Sequence, residues 1–277
     1  MSNISASDVN ILRKKTGAGM MDCKNALVEA NGDFEKAIDV LRKKGQKVAS
    51  KRADRDATEG VVLAKVSEDY KFGALISINC ETDFVAKNED FISLTNQILD
   101  TAIKEEIMNS DDLKKMAING LTVEDKLLEQ TGVIGEKIEL GFYESIKDEL
   151  VSAYTHHGNK LAAIAGLNIG DLNFSEAGKD VCMQIAAMNP LGVNESDISQ
   201  DVLDKELEIA KDLARKEGKP EQMIEKIALG RLGKFFKENT LMKQAFIKDS
   251  KKSIEAYLKE KKSDLKVNSF KRFGLSN

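Results

Sequence analysis

Few side chains in this sequence could do chemistry, and their spacing narrows what that chemistry could be. The only two histidines, His156 and His157, are adjacent. Neighbours in a strand point to opposite faces, so the pair reads as a polar β-turn rather than as two ligands of one metal. The three cysteines, Cys23, Cys80 and Cys182, are scattered. No two have metal-ligand spacing, and an odd, dispersed set suits a reducing cytoplasm rather than a disulfide framework. Cys80 or Cys182 could form a thiol–imidazole pair with His157. Each, however, lies in or beside an apolar run, where a small buried thiol is the commoner role. No glycine-rich run ends in Gly-Lys-Ser or Gly-Lys-Thr, and Gly17-Ala18-Gly19 lacks the preceding strand that a dinucleotide fingerprint requires. What remains is of another kind: Met20-Met21 at a loop tip, Asp83-Phe84 at a corner and His157-Gly158 at a turn. Apolar tips on polar loops read as points of protein contact.

The corner needs two elements to position it. Phe72 to Ile78 is an apolar run expected to form a buried strand, and a helix with apolar periodicity follows from about Phe91. Between them, local physics expects Thr82 or Asp83 to cap the next turn and Phe84 to staple it to the core. The other reading is that the corner presents the Phe84 ring outward.

The rest of the chain reads as an α+β protein. Residues 1–45 are expected to form a three-helix module: Ser5 or Ser7 caps the first helix, Gly17 stops it, Asp22 caps the second, Asn31-Gly32 turns the chain, Asp33 caps the third and Gly45 closes it. Residues 46–59 carry Lys47, Lys51, Arg52 and Arg55 among few large apolar residues and read as a basic linker. From Gly60 the period becomes strand-like. Strand, turn, strand, corner and helix occur twice, giving a duplicated α+β core with antiparallel sheets: subdomain N over 60–135, and subdomain C over 136–198 and 237–277, opening with a strand at Ile138–Tyr143. Residues 199–236 interrupt the second unit as an antiparallel helical hairpin turning at Lys216–Pro220. Asp249 is expected to cap a late helix, and Leu265 to Phe273 to form the last strand. A net charge of −4 argues against wholesale binding to nucleic acid. No apolar run is long enough to span a bilayer, and the N-terminus lacks a signal peptide's basic start and apolar centre.

Two stretches resemble a known family. Leu12-Arg13-Lys14-Lys15-Thr16-Gly17-Ala18-Gly19-Met20-Met21-Asp22-Cys23-Lys24-Asn25-Ala26-Leu27 closely resembles the N-terminal signature of the bacterial elongation factor Ts family. Asn79-Cys80-Glu81-Thr82-Asp83-Phe84-Val85-Ala86 resembles its second signature, at the family's spacing. The N-terminal module also resembles ubiquitin-associated (UBA-like) domains. The resemblance implies a guanine-nucleotide exchange factor for elongation factor Tu, cytoplasmic, with no catalysis, cofactor or metal of its own and no direct contact with nucleic acid or membrane. It would engage both the GDP-bound and the nucleotide-free partner. It further implies that Arg13, Met20, Met21 and Lys24 lie on the N-terminal contact surface. The family's equivalents of Asp83 and Phe84 reach toward the partner's Mg²⁺ site, flanked here by Thr82 and Val85. Ile134-Gly135, His157-Gly158 and Phe246-Ile247 match further contact positions, and the hairpin serves dimerisation. Two departures stand out: Gln244-Ala245-Phe246-Ile247 lacks the family's proline, and Lys160 stands where an arginine is usual. The alternatives are a non-catalytic UBA-like adaptor, and the thiol enzyme above.

Overall fold

Helix α1 (Ala6–Thr16) starts at a reciprocal cap, with Ser5 Oγ accepting from the Asp8 amide at 3.1 Å and the Asp8 carboxylate accepting from the Ser5 amide at 3.0 Å. It ends at Gly17, whose φ of 71° is left-handed. Helix α2 (Met20–Glu29) follows, then a turn through the left-handed Asn31 and Gly32, then α3 (Phe34–Arg52), capped by Asp33. Val9, Leu12, Cys23, Ala26, Leu27 and Ala37 form the core of these three helices. The computed structural model describes residues 4–275.

Three local expectations are corrected here. Helix α2 begins at Met20 with Gly19 as its cap, so Asp22 lies within its first turn and pairs with Lys44, and Met20-Met21 start a helix rather than end a loop. Helix α3 does not stop at Gly45 but runs on to Arg52, turning half of the expected linker into helix. Gly45 serves packing instead: a Cβ on Gly132 of the facing helix would lie 2.5 Å from the Gly45 Cα, so two glycines let the backbones of 34–52 and 123–134 touch.

The chain continues through β1 (Glu59–Val66), β2 (Phe72–Cys80), the single turn α4 (Asp83–Ala86), α5 (Glu89–Lys104), α6 (Ser110–Lys115), the short antiparallel pair β3 (Ala117–Ile118) and β4 (Leu121–Thr122), α7 (Val123–Ile134) and β5 (Glu139–Lys147). One three-stranded sheet has the order β1-β2-β5. Its middle strand is β2, buried at every position but Asn79, which is why that stretch reads as a continuous apolar run rather than an alternating one. The strand expected to open a second sheet, β5, is thus an edge of the first. Helix α5 buries Phe91, Leu94, Ile98, Leu99 and Ala102 along one face.

Next come β6 (Leu150–Thr155), β7 (Leu161–Leu167), α8 (Ser175–Met188), the hairpin helices α9 (Gln200–Lys216) and α10 (Glu221–Asn239), β8 (Ala245–Phe246), β9 (Asp249–Ser253), α11 (Ile254–Lys261) and β10 (Val267–Gly274). The second three-stranded sheet has the order β10-β7-β6, with Leu150 opposite Leu167 and Thr155 opposite Ala162. Helix α8 packs on β6 and β7; a side chain at Gly178 would strike Ser152 Oγ. The hairpin forms as expected around Gly218 (φ 73°), seamed by Ala210, Ala214, Ile224 and Ala228. Helix α11 is capped by Ser253, not Asp249, which lies in β9.

By its contacts the chain divides into two compact units. One takes in the N-terminal residues through Leu63, Ile76–Glu144 and the residues from Phe273; the other comprises Ala64–Leu75 and Ser145–Arg272. No described helix is long and apolar enough to cross a membrane.

Candidate functional site

Strand β2 delivers the chain to the corner at Cys80, and Thr82 turns it into α4. Thr82 Oγ1 accepts from the Val85 amide at 3.5 Å, at the outer limit for such a bond. The expected cap is therefore present. The expected staple is not: the Phe84 ring is 84% exposed. What α4 tucks inward is Ala86, so helical geometry leaves Phe84 on the outer face. Beside it, Asp83 pairs with Lys87 at 2.6 Å one turn on, and Val85 is half-buried.

Two carboxylates brace the approach to this turn. Glu136 Oε2 accepts from the amides of Glu81 (3.1 Å) and Thr82 (3.0 Å), and its Oε1 accepts from Thr82 Oγ1 at 2.7 Å. In return Glu81 accepts from the Lys137 amide at 2.7 Å and holds Arg52 of α3 through two bonds, at 2.7 and 2.9 Å. The Lys137 amide, and after it the Arg52 guanidinium, hold the Glu81 carboxyl below its ordinary range. Ile134 and Gly135 matter to this arrangement through geometry. Helix α7 ends at Ile134, and Gly135, left-handed at φ 80°, turns the chain so that Glu136 and Lys137 meet the corner. Residue periodicity offered no signal for Glu136, Glu81, Lys137 or Arg52; the only hint was that Glu81 lies inside the second signature and Glu136 directly follows Ile134-Gly135.

The same unit carries the N-terminal candidates. Arg13 and Lys24 are exposed, as are Met20 (53%) and Met21 (63%). Val133 of α7 joins the edge of the three-helix core.

The remaining candidates belong to the other unit. His157 is exposed at the β6–β7 turn, where Gly158 (φ 87°) and Asn159 (φ 55°) are left-handed and the Asn159 amide donates to the His156 carbonyl at 3.0 Å. His156, exposed as well, places its Nδ1 2.8 Å from the Tyr154 hydroxyl. Phe246 departs from the expectation of a contact residue: it is only 4% exposed and stacks on Tyr257 with centroids 4.3 Å apart. The exposed member is Ile247, whose amide donates to the buried Gln184 Oε1 at 2.9 Å. Gln184 also donates to Gln244 Oε1 and to the Ala245 carbonyl, so α8 shapes this loop. Lys160 is exposed.

A thiol nucleophile finds no support. All three cysteines are buried. Burial pushes the Cys80 thiol up to about 12 and raises that of Cys182 as well, and their Sγ atoms donate to the carbonyls of Thr82 and Ser152. Among the described residues no group of three or more His, Cys, Asp or Glu is placed to hold a metal ion.

Comparison with known proteins places these features in context. The family model described as elongation factor TS matches residues 81–277. The chain is 54% identical to an elongation factor Ts of Christiangramia forsetii, covering 99% of this chain and all of that one. It is 50% identical to that of Flavobacterium psychrophilum over the same shares, and 47% identical to that of Porphyromonas gingivalis over 99% of this chain and 98% of the relative.

Proposed function

The chain belongs to the elongation factor Ts family, and on that premise we propose that it is the guanine-nucleotide exchange factor that binds elongation factor Tu and drives GDP off it during translation. The observation that carries this reading is the exposed Phe84 ring on a braced, capped turn. A large apolar side chain held in water is costly to keep and favourable to bury on a partner.

Exchange is coupling between two ligands of one protein. A factor that weakens GDP binding about a thousandfold supplies a coupling of roughly 4 kcal/mol, and GDP weakens the factor's binding equally. Burial of one Phe supplies about 1.5–3 kcal/mol. Phe84 therefore carries much of the coupling as a wedge in the partner's GTPase domain but needs help. Asp83 adds negative charge beside the ring, where it repels phosphate oxygens or competes for groups that order the waters of the partner's Mg²⁺. The rest comes from surfaces that hold the wedge in place: Arg13, Met20, Met21 and Lys24 on the N-terminal module, and His157-Gly158 and Ile247 in the second unit. The helical hairpin, with Ile209, Leu213, Met223 and Leu229 exposed, serves self-association. The protein binds no nucleotide itself. The cell's excess of GTP decides which nucleotide refills the partner.

The test is release of a fluorescent GDP analogue from purified elongation factor Tu, chased with unlabelled GTP, with and without this protein. Acceleration that saturates with protein concentration is expected. Binding to the partner without acceleration would overturn the exchange reading in favour of a non-catalytic adaptor built on the three-helix module.

A further inference from the structure

We propose that Glu136 is the positioning residue of the exchange corner: its carboxylate, fastened to the amides of Glu81 and Thr82 and to the Thr82 hydroxyl, holds Phe84 outward in the orientation that a partner meets. This role rests on the exchange reading above.

Little else holds α4. A single helical turn in isolation does not persist, because nucleation fixes several residues for one hydrogen bond. Within this one, the Ala86 amide reaches the Thr82 carbonyl at 3.2 Å and the Lys87 amide reaches the Asp83 carbonyl at 3.1 Å. The cap bond from the Val85 amide is long, at 3.5 Å. On its C-terminal side the turn is anchored by the buried Ala86 and by Asn88, which caps α5 through the amides of Asp90 and Phe91. On its N-terminal side the strand has ended, and the half-buried amides of Glu81 and Thr82 both point at one carboxylate. Removing that carboxylate strips two donors of their partner at once and frees the Thr82 hydroxyl to rotate.

Glu136 is itself fixed. It follows the left-handed cap of α7 at Gly135, its neighbour Lys137 donates through its amide to Glu81, and Glu81 is tied to Arg52 near the C-terminal end of α3. Helices α3 and α7 touch backbone to backbone at Gly45 and Gly132. The corner is therefore registered against α3, which packs on α2, the helix that carries Met20, Met21 and Lys24. A wedge transmits force only when its base is fixed, so the residue under the base governs the rate of release more than the tightness of binding.

The experiment compares wild type, Glu136→Ala, Glu136→Gln and Phe84→Ala in two measurements: stimulated GDP release across a range of protein concentrations, and amide hydrogen exchange in the free protein. For Glu136→Ala the maximal release rate is expected to fall about tenfold while the half-saturating concentration changes by less than about threefold, and the amides of Glu81 and Thr82 lose protection. Glu136→Gln keeps an acceptor oxygen and is expected to recover most of the rate; it also serves if Glu136→Ala does not fold. A Glu136→Ala protein that folds and matches wild type in maximal rate would overturn the role, as would unchanged protection of both amides. So would equal losses in maximal rate and in affinity, which mark a merely structural defect. Failure of wild type itself to accelerate release would instead overturn the exchange reading, and this role with it.

Discussion

Truncating Phe84 to alanine separates what the ring does for the fold from what it does for a partner. With 84% of its surface exposed, Phe84 contributes little to the protein's own core, and surface substitutions of this kind change stability by no more than about 0.5 kcal/mol. The turn beneath the ring is capped by Thr82 and braced by Glu136, neither of which the substitution touches. The melting temperature should therefore stay within a degree or two of wild type. On the wedge reading proposed above, the ring passes from water into protein in the complex. Losing that burial forfeits about 1.5–3 kcal/mol, a factor of roughly ten to a hundred or more in stimulated release. If the ring acts on the nucleotide-bound state in particular, the affinity for nucleotide-free elongation factor Tu falls much less. Stopped-flow release of labelled GDP gives the rate, and titration of the nucleotide-free partner gives the affinity. Equal losses in rate and affinity would refute the wedge. A fall in melting temperature of several degrees would refute the premise that the ring does no work inside the fold.

Other perturbations test the supporting structure. Gly132→Ala places a methyl group 2.5 Å from the Gly45 Cα and should cost about 1–3 kcal/mol, several degrees in a thermal melt. For Gly45→Ala the nearest atoms are Leu128 O at 3.4 Å, the Gly132 Cα at 3.6 Å and the Gly132 N at 3.9 Å, and with the helix propensity it gains it should be near neutral; the reverse order would refute the packing argument. Because the Lys137 amide and Arg52 lower the Glu81 carboxyl in the folded state, its contribution is fully present above the unfolded value of about 4.3 and is lost as pH falls through the lower folded value. Acid denaturation of Glu81→Gln should then be less steep below about pH 4 than that of wild type, and superimposable curves would show that Glu81 carries no such linkage. Cys23, Cys80 and Cys182 are all buried, so a thiol reagent at pH 8 should label none of them rapidly in the native protein and all three in denaturant. Rapid native labelling of Cys80 would reopen the thiol chemistry.

Some of this protein was legible residue by residue. Caps and turns depend on short-range contacts, so Gly17, Asn31-Gly32 and Asp33 appear where local chemistry puts them, and the structure picks Ser5 from Ser5 or Ser7 and Thr82 from Thr82 or Asp83. The continuous apolar run of β2 announces its burial, and the apolar stripes of 199–236 announce a helical hairpin, though they leave Leu213, Met223 and Leu229 exposed. The two signatures resembling elongation factor Ts named the family, and the relatives bear that out over nearly the whole chain. The misread positions are those where a distant segment decides. Gly45 looked like a stop because glycine often ends helices, yet here it makes room for Gly132. The strand at 139–147 looked like the start of a new sheet, yet it pairs at the edge of the first. Phe246 matched a contact position, yet Tyr257 stacks on it from another element and leaves Ile247 exposed instead.

The corner divides along the same line. The sequence alone determined that Thr82 or Asp83 would cap a turn after β2, because a cap and the amide it serves lie within four residues of chain; the structure shows that it is Thr82. Whether Phe84 would point inward or outward was a tertiary matter. Ala86 takes the buried side of α4, and Glu136, far away in the chain, binds the turn's base. A carboxylate has no periodicity and no propensity that reveals its partner. Only the path of α7 and the left-handed turn at Gly135 bring it within hydrogen-bonding distance.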